Sequence, residues 1–211
     1  MAEIADAIAA DAANMAPAPV RQGNAGIFVA VAGPSGAGKD SLLAGAATAF
    51  ADEPRIVFAR RTITRPADAT EPYEPATMAA FRQRVEDNGF LLWWEANGHC
   101  YGLPIALGAE IDAGRLMIAN VSREVLPVIR AQFAHVHVVH VTASVETLEA
   151  RLMRRGRETP EQCRQRLVRA LEKDAAVVAD LRIENNGQLK DSVDQLVSSL
   201  RLLLSERTQH V

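Results

Sequence analysis

Short apolar runs alternate along the chain with segments of helical spacing. "GIFVAVAG" (26–33) is rich in β-branched residues and closed by glycine, the pattern of a buried parallel strand. "KDSLLAGAATAFA" (39–51) follows with helical spacing, and "RIVFA" (55–59) predicts a second strand. A helix is expected over 77–89, stopping at Gly89, and then a hairpin over 90–102 turning at Asn97-Gly98. Strands are expected at 115–121 and 135–141, separated by a helix near 122–133. A helix over 144–156 opens on Ser144 as cap, and a long helix over 159–180 carries Pro160 in its first turn. A strand at 181–185 and a helix at 188–205 close the pattern.

Strands alternating with helices predict an α/β fold of three layers, a parallel sheet covered on both faces. The stretch from about 60 to 105 breaks the alternation and reads as an inserted lobe. The Arg-rich turn near 154–160 lies between two helices and reads as a lid.

Composition narrows the class. The chain has 211 residues, 48% of them hydrophobic and 23% charged, enough for one domain with a full core. A net charge of −3 argues against nucleic acid as a partner by bulk electrostatics. No apolar run approaches a membrane span. Two cysteines are too few for a disulfide framework, so a reduced, cytoplasmic protein is the simpler reading. Residues 1–24 are Ala-rich, end in Ala and Pro, and have no basic residue before Arg21, which fits a disordered tail ahead of a domain over 25–211 and not a signal peptide. Nothing here fixes oligomeric state, and a homo-oligomer stays open.

The chemistry concentrates in "GPSGAGKDS" (33–41). A phosphate-binding loop reads G-x-x-x-x-G-K-[ST] between a strand and a helix, and Gly33, Gly38 and Lys39 fit in that context. Glycines let backbone N–H groups turn inward on phosphate oxygens, the helix start adds positive potential, and Lys39 reaches the terminal phosphates. The expected ATP-phosphate site is thus Gly33, Pro34, Ser35, Gly36, Ala37, Gly38, Lys39, Asp40 and Ser41. Asp40 stands where a hydroxyl for Mg²⁺ is usual. A carboxylate is a hard oxygen ligand suited to Mg²⁺, so Asp40 is the leading metal candidate. Ser41 points about 100° further round the helix and is the weaker one. A helix cap at Asp40 is the alternative.

These residues resemble the guanylate kinase-like P-loop kinases, and the resemblance runs from about 26 to 204. "RTITRP" (61–66) is similar to their acceptor-binding T-T-R-x-P, and "FLLWWEANGHCYG" to their F-L-E…Y-G hairpin. "ARLMRRGRE" (150–158) with Arg166 is similar to their lid, and "ENNGQL" (184–189) to their N-x-x-L ending. The departures change the acceptor. Leu92 stands at the guanine-reading carboxylate, Leu103 replaces the Thr of Y-G-T, the second acceptor Arg falls at Asp68, and D-I-D becomes Ile118-Ala119-Asn120. A base-reading site loses discrimination when its hydrogen-bonding groups become apolar.

With K-D-S in the loop, W-x-A-N-G before Y-G, and R-G-R-E in the lid, the chain resembles the ribose 1,5-bisphosphate phosphokinase family of phosphonate degradation. The resemblance implies transfer of the γ-phosphoryl group of ATP, with Mg²⁺, to the 1-phosphate of ribose 1,5-bisphosphate, giving 5-phosphoribosyl 1-diphosphate. It implies Lys39, Arg155 and Arg166 as catalytic groups, Arg151 and Arg157 in the lid, and Arg65 and Tyr101 around the acceptor. An acceptor with two phosphates and no base calls for guanidiniums, which adds Arg61, where guanylate kinases have Ser, and Glu71 is a further acceptor-side candidate. Glu71 either binds ribose hydroxyls or is merely exposed; Tyr101, Trp93 and Trp94 also read as hairpin core. A guanylate or other nucleoside monophosphate kinase is the nearest rival; Leu92 and Leu103 argue against it. A non-catalytic interaction module is the rival from another class, and the retained Lys39 and arginines argue against that. His135 and His137 would share one strand face and His140 the other, with no supporting Cys or carboxylate cluster, which disfavours a metal site.

Overall fold

The alternation closes as a five-stranded, wholly parallel sheet. The computed structural model describes residues 26–65, 72–154, 174 and 176–208. The strands are β1 (Ile27–Ala32), β2 (Ile56–Phe58), β7 (Leu116–Asn120), β8 (Val136–Thr142) and β9 (Leu181–Glu184), in the order β2-β7-β1-β8-β9. A smaller four-stranded sheet, β4-β3-β6-β5, is built from β3 (Thr62–Ile63), β4 (Glu74–Pro75), β5 (Phe90–Ala96) and β6 (His99–Pro104). The helices are α1 (Lys39–Ala49), α2 (Met78–Glu86), α3 (Leu107–Asp112), α4 (Leu126–Gln132), α5 (Val145–Arg154) and α6 (Leu189–Thr208).

Side-chain alternation along β1 divides the core. Val29 and Val31 face one layer with Leu42 of α1, Leu148 of α5 and Leu196 and Leu200 of α6. Phe28, Ala30 and Ala32 face the other, with Leu126 and Ile129 of α4 and with Leu92, Trp94 and Leu103 from the hairpin. Burial on both faces explains why these strands read as continuous apolar runs. The small sheet therefore docks on the main core by its hairpin, and closes its own outer side with Phe81 of α2 against Phe90 and Cys100.

Most expected elements appear within a residue or two. The hairpin turns at Asn97 (φ 53°) and Gly98 (φ 73°), the two positive angles that a tight two-residue hairpin needs. Ser144 caps α5, its Oγ accepting from the Thr147 N–H at 3.3 Å. Two features differ from expectation. β3, β4 and α3 have no counterpart in the sequence pattern, since two-residue strands and a six-residue helix carry no readable period. The helix expected to reach 180 has given way to irregular chain by Val177. The buried polar group on β8, His140, explains the stop: its Nδ1 faces Arg182 at 2.9 Å, its Nε2 faces Asp174 at 2.9 Å, and Arg182 also donates to the Val177 carbonyl. Arg123 pairs with the same Asp174 carboxylate. Burial alone would raise that carboxyl, but hydrogen bonding from His140 and the charge of Arg123 outweigh it and hold it below the usual range. The tail over 1–24 and the expected lid turn from 155 onward lie outside the described residues.

Candidate active site

β1 delivers its last residue, Ala32, to the carboxyl edge of the sheet, and Gly33–Gly38 wraps from there to the first turn of α1. Such edges are where open α/β sheets bind ligands. α1 starts without a side-chain cap, its N-cap being Gly38. The first N–H groups of α1 therefore have no side-chain acceptor at the cap, the condition for receiving an anion. Asp40 is not the cap, so the capping alternative for it does not hold. The Lys39 ammonium donates to the carbonyls of Gly33 (2.8 Å) and Pro34 (2.9 Å), so it rests over the loop's entrance.

The loop is braced from behind by two side chains. Asn185, 2% exposed, donates through Nδ2 to the Ala37 carbonyl at 2.8 Å and accepts from Ser192 Oγ at 3.1 Å. Arg151 reaches the carbonyls of Gly36 (3.3 Å), Ala37 (3.4 Å) and Asn185 (2.9 Å). Arg151, expected in the lid, is in this structure a support of the phosphate loop. Asn185→Ala should leave the Ser192 hydroxyl without its buried acceptor and the Ala37 carbonyl with only the longer contact from Arg151, a loss of about 2 kcal/mol. Thermal melting should show a drop of about 4–8 °C, and ATP should bind more weakly. Unchanged ATP affinity would mean that the brace does not shape the loop.

Facing the loop are Asn120, the last residue of β7, and Arg61, the residue just before β3. Asn120 Nδ2 donates to Asp40 Oδ1 at 2.6 Å. Arg61, 7% exposed, donates to the Asn120 carbonyl at 3.1 Å and lies 3.8 Å from Asp40 Oδ1. Its guanidinium sits 5.4 Å from the Tyr101 ring centroid, and Tyr101 stacks on Trp94 at 5.6 Å. Arg65 lies over Tyr73, 5.0 Å from the ring centroid. Arg61, Asp40 and Tyr101 thus come together, whereas Arg65 stands with Tyr73 at the edge of the small sheet. Behind them Leu92 and Leu103 are paired across the hairpin and buried at 1% and 0% exposure. Leu92 and Leu103 present no polar group to a base. Ser41 is exposed. Glu71, Arg155, Arg157 and Arg166 lie outside the described residues.

Sequence reasoning misses two side chains at this edge. It marks Asn120 only as the loss of an acidic strand end, and Asn185 only as part of a resemblance; an asparagine closing a buried strand is itself a sign of a polar partner. The donor set suits a hard divalent cation: a carboxylate, 30% exposed at its side chain, at the mouth of a phosphate loop. No group of three or more His, Cys, Asp or Glu among the described residues could hold a metal, so any ion here would rely on triphosphate oxygens as well. His137 stands apart, half-buried with Ser199, its burial holding it below the usual imidazole range. Among the described residues no helix is long and apolar enough to cross a membrane.

Comparison with known proteins bears on this geometry. The family model described as guanylate kinase matches residues 27–203. The ribose 1,5-bisphosphate phosphokinase PhnN of Chelativorans sp. is 43% identical over 192 residues, covering 90% of each chain. That of Bradyrhizobium diazoefficiens is 39% identical over 189 residues, covering 87% of this chain and 95% of its own. The crystal structure of guanylate kinase from Anaplasma phagocytophilum superposes with a TM-score of 0.59 at 19% identity, covering 84% of this chain and 86% of that one, a likeness of fold.

Proposed function

Because the chain belongs to the guanylate kinase family and, within it, to the ribose 1,5-bisphosphate phosphokinases, we propose that it transfers the γ-phosphoryl group of ATP to the 1-phosphate of ribose 1,5-bisphosphate. The product is 5-phosphoribosyl 1-diphosphate, and the setting is phosphonate catabolism in the cytoplasm. The observation that carries the reading is the likeness to two such phosphokinases over nearly their whole length. The buried Leu92–Leu103 pair supports it, since a guanine edge would find no partner there.

The chemistry asks little of the protein beyond placement and charge. An oxygen of the 1-phosphate attacks the γ-phosphorus, and the bond from that phosphorus to the bridging oxygen of ADP breaks, with ADP keeping the electron pair. The attacking oxygen is already ionised at neutral pH, so no general base is needed. Lys39 stands at the loop mouth to take up negative charge developing on the β- and γ-oxygens. Arg61, Arg65 and Tyr101 are assigned to the acceptor side, Arg61 being the one that also meets the loop through Asn120 and Asp40. Glu71 is assigned to the ribose hydroxyls, and Arg155, Arg157 and Arg166 to a lid that brings charge over the transferred group. Mg²⁺, held by Asp40, with Ser41 the weaker candidate, and by ATP oxygens, would screen the triphosphate charge.

An acceptor panel with ATP and Mg²⁺ tests the proposal. Ribose 1,5-bisphosphate should exceed GMP, AMP, UMP and ribose 5-phosphate in kcat/KM by at least about tenfold, the difference between a site with and without partners for the acceptor's polar groups. A higher kcat/KM for GMP would make the enzyme a nucleotide kinase. No turnover of any acceptor would leave a binding module.

A further inference from the structure

Asn120 closes β7 and pairs in register with Val31, the penultimate residue of β1, so the strand ends beside the start of the phosphate loop. Its side chain is buried at 7% exposure and spans to the first turn of α1. A carboxylate at neutral pH only accepts hydrogen bonds, so the group facing Asp40 at 2.6 Å has to be the amide Nδ2. The Arg61 guanidinium approaches the same oxygen, Oδ1, at 3.8 Å while donating to the Asn120 carbonyl. Both contacts fall on Oδ1, so neither consumes Oδ2.

In the usual P-loop arrangement the helix start supplies a hydroxyl and the strand end a carboxylate, and both serve Mg²⁺. Here the carboxylate is on the helix and the strand end carries a neutral donor. We propose that Asn120 is a positioning residue for the Asp40 carboxylate: the amide fixes which oxygen is turned away from the sheet, in an exchange of the acidic group between helix and strand. The inference rests on the reading that Asp40 stands on the magnesium side of ATP. The choice of amide follows from charge. A second carboxylate at 2.6 Å would force the two to share a proton or repel, and would abolish the donor that orients Asp40. Arg61 offsets the remaining negative charge from the acceptor side, so one network joins the phosphate loop to the lobe that carries Tyr101.

Partners that orient a metal ligand commonly change metal affinity by tenfold or more when removed. The test is calorimetric titration of ATP in saturating Mg²⁺ and again in EDTA, on the full chain, for the wild type, Asn120→Ala, Asn120→Leu and Asp40→Ala. The ratio of the two Kd values is the affinity that Mg²⁺ adds. Asn120→Ala and Asn120→Leu should each lower that ratio about tenfold. Their Kd for ATP in EDTA should stay within about twofold of wild type, which a role confined to folding would not predict. Leucine keeps the branched outline of asparagine without its donor, so it carries the test if the alanine variant does not fold. If Asp40→Ala lowers the ratio but neither Asn120 variant does, the positioning role is overturned and the Asp40 reading stands. If Asp40→Ala leaves the ratio unchanged, the magnesium reading of Asp40 falls and this inference with it.

Discussion

Replacing Lys39 with alanine is expected to lower kcat at least about 100-fold, with the melting temperature within about 2 °C of wild type. The ammonium is delivered by the first residue of α1 and lies on the carbonyls of Gly33 and Pro34, at the mouth of the loop that would hold the triphosphate. Charge shifts onto the bridging oxygen of ADP as the γ-phosphoryl group leaves, and a fixed cation there stabilises the transition state more than the ground state. A 100-fold loss corresponds to about 2.7 kcal/mol. The substitution removes two hydrogen bonds from a partly exposed lysine to loop carbonyls, and water replaces them at little cost to the fold. Steady-state kinetics on a variant verified by thermal melting decides the matter. A folded variant keeping more than about a tenth of wild-type kcat, a deficit under about 1.4 kcal/mol, would remove Lys39 from the transition state.

The parallel sheet and the phosphate loop were legible because both are local. β1, β7 and β8 are buried on both faces, so their apolar runs are continuous, and the glycines sit between a strand and a helix in sequence as in space. The small sheet was legible only at its hairpin, where Asn97-Gly98 announces the turn; β3 and β4 are two residues each and are defined by partners. Leu92 and Leu103 were readable as lost base contacts, whereas their pairing across the hairpin needed the register. The site's internal wiring was not legible. Asn120 and Asp40 are 80 residues apart, and Arg151 reaches Gly36 across 115. Those contacts follow from strand order and helix packing, which no local pattern carries. Resemblance put Arg151 in the lid because it groups residues by motif, and the fold put it under the phosphate loop because α5 packs beside that loop.

Gly33→Ala should be the most damaging single methyl group in the phosphate loop, costing more than about 3 kcal/mol. Gly33 has φ +147°, and a Cβ there would sit 1.9 Å from the Val141 carbonyl oxygen. That oxygen belongs to β8, the neighbour of β1 in the middle of the sheet. Strand spacing is set by ladder hydrogen bonds at about 4.8 Å, so the sheet cannot open to admit the methyl group. Gly36 is the internal control. It also has positive φ, +91°, but the nearest atoms to a Cβ are 3.5 Å away, the Leu148 carbonyl and the Leu152 side chain. Gly36→Ala should therefore lose only the conformational component, about 1 kcal/mol. The two differ further in chemistry, because the Gly33 carbonyl is one of the two that hold the Lys39 ammonium. Relief of the clash at position 33 has to move that carbonyl, so the folded fraction of Gly33→Ala should also show reduced kcat, whereas Gly36→Ala should not disturb Lys39 by this route. Urea unfolding of both variants, with kcat measured per folded molecule, separates the two effects. A Gly33→Ala protein no less stable than Gly36→Ala would mean that the end of β1 yields to the methyl group, and that the sheet does not fix the first residue of the loop.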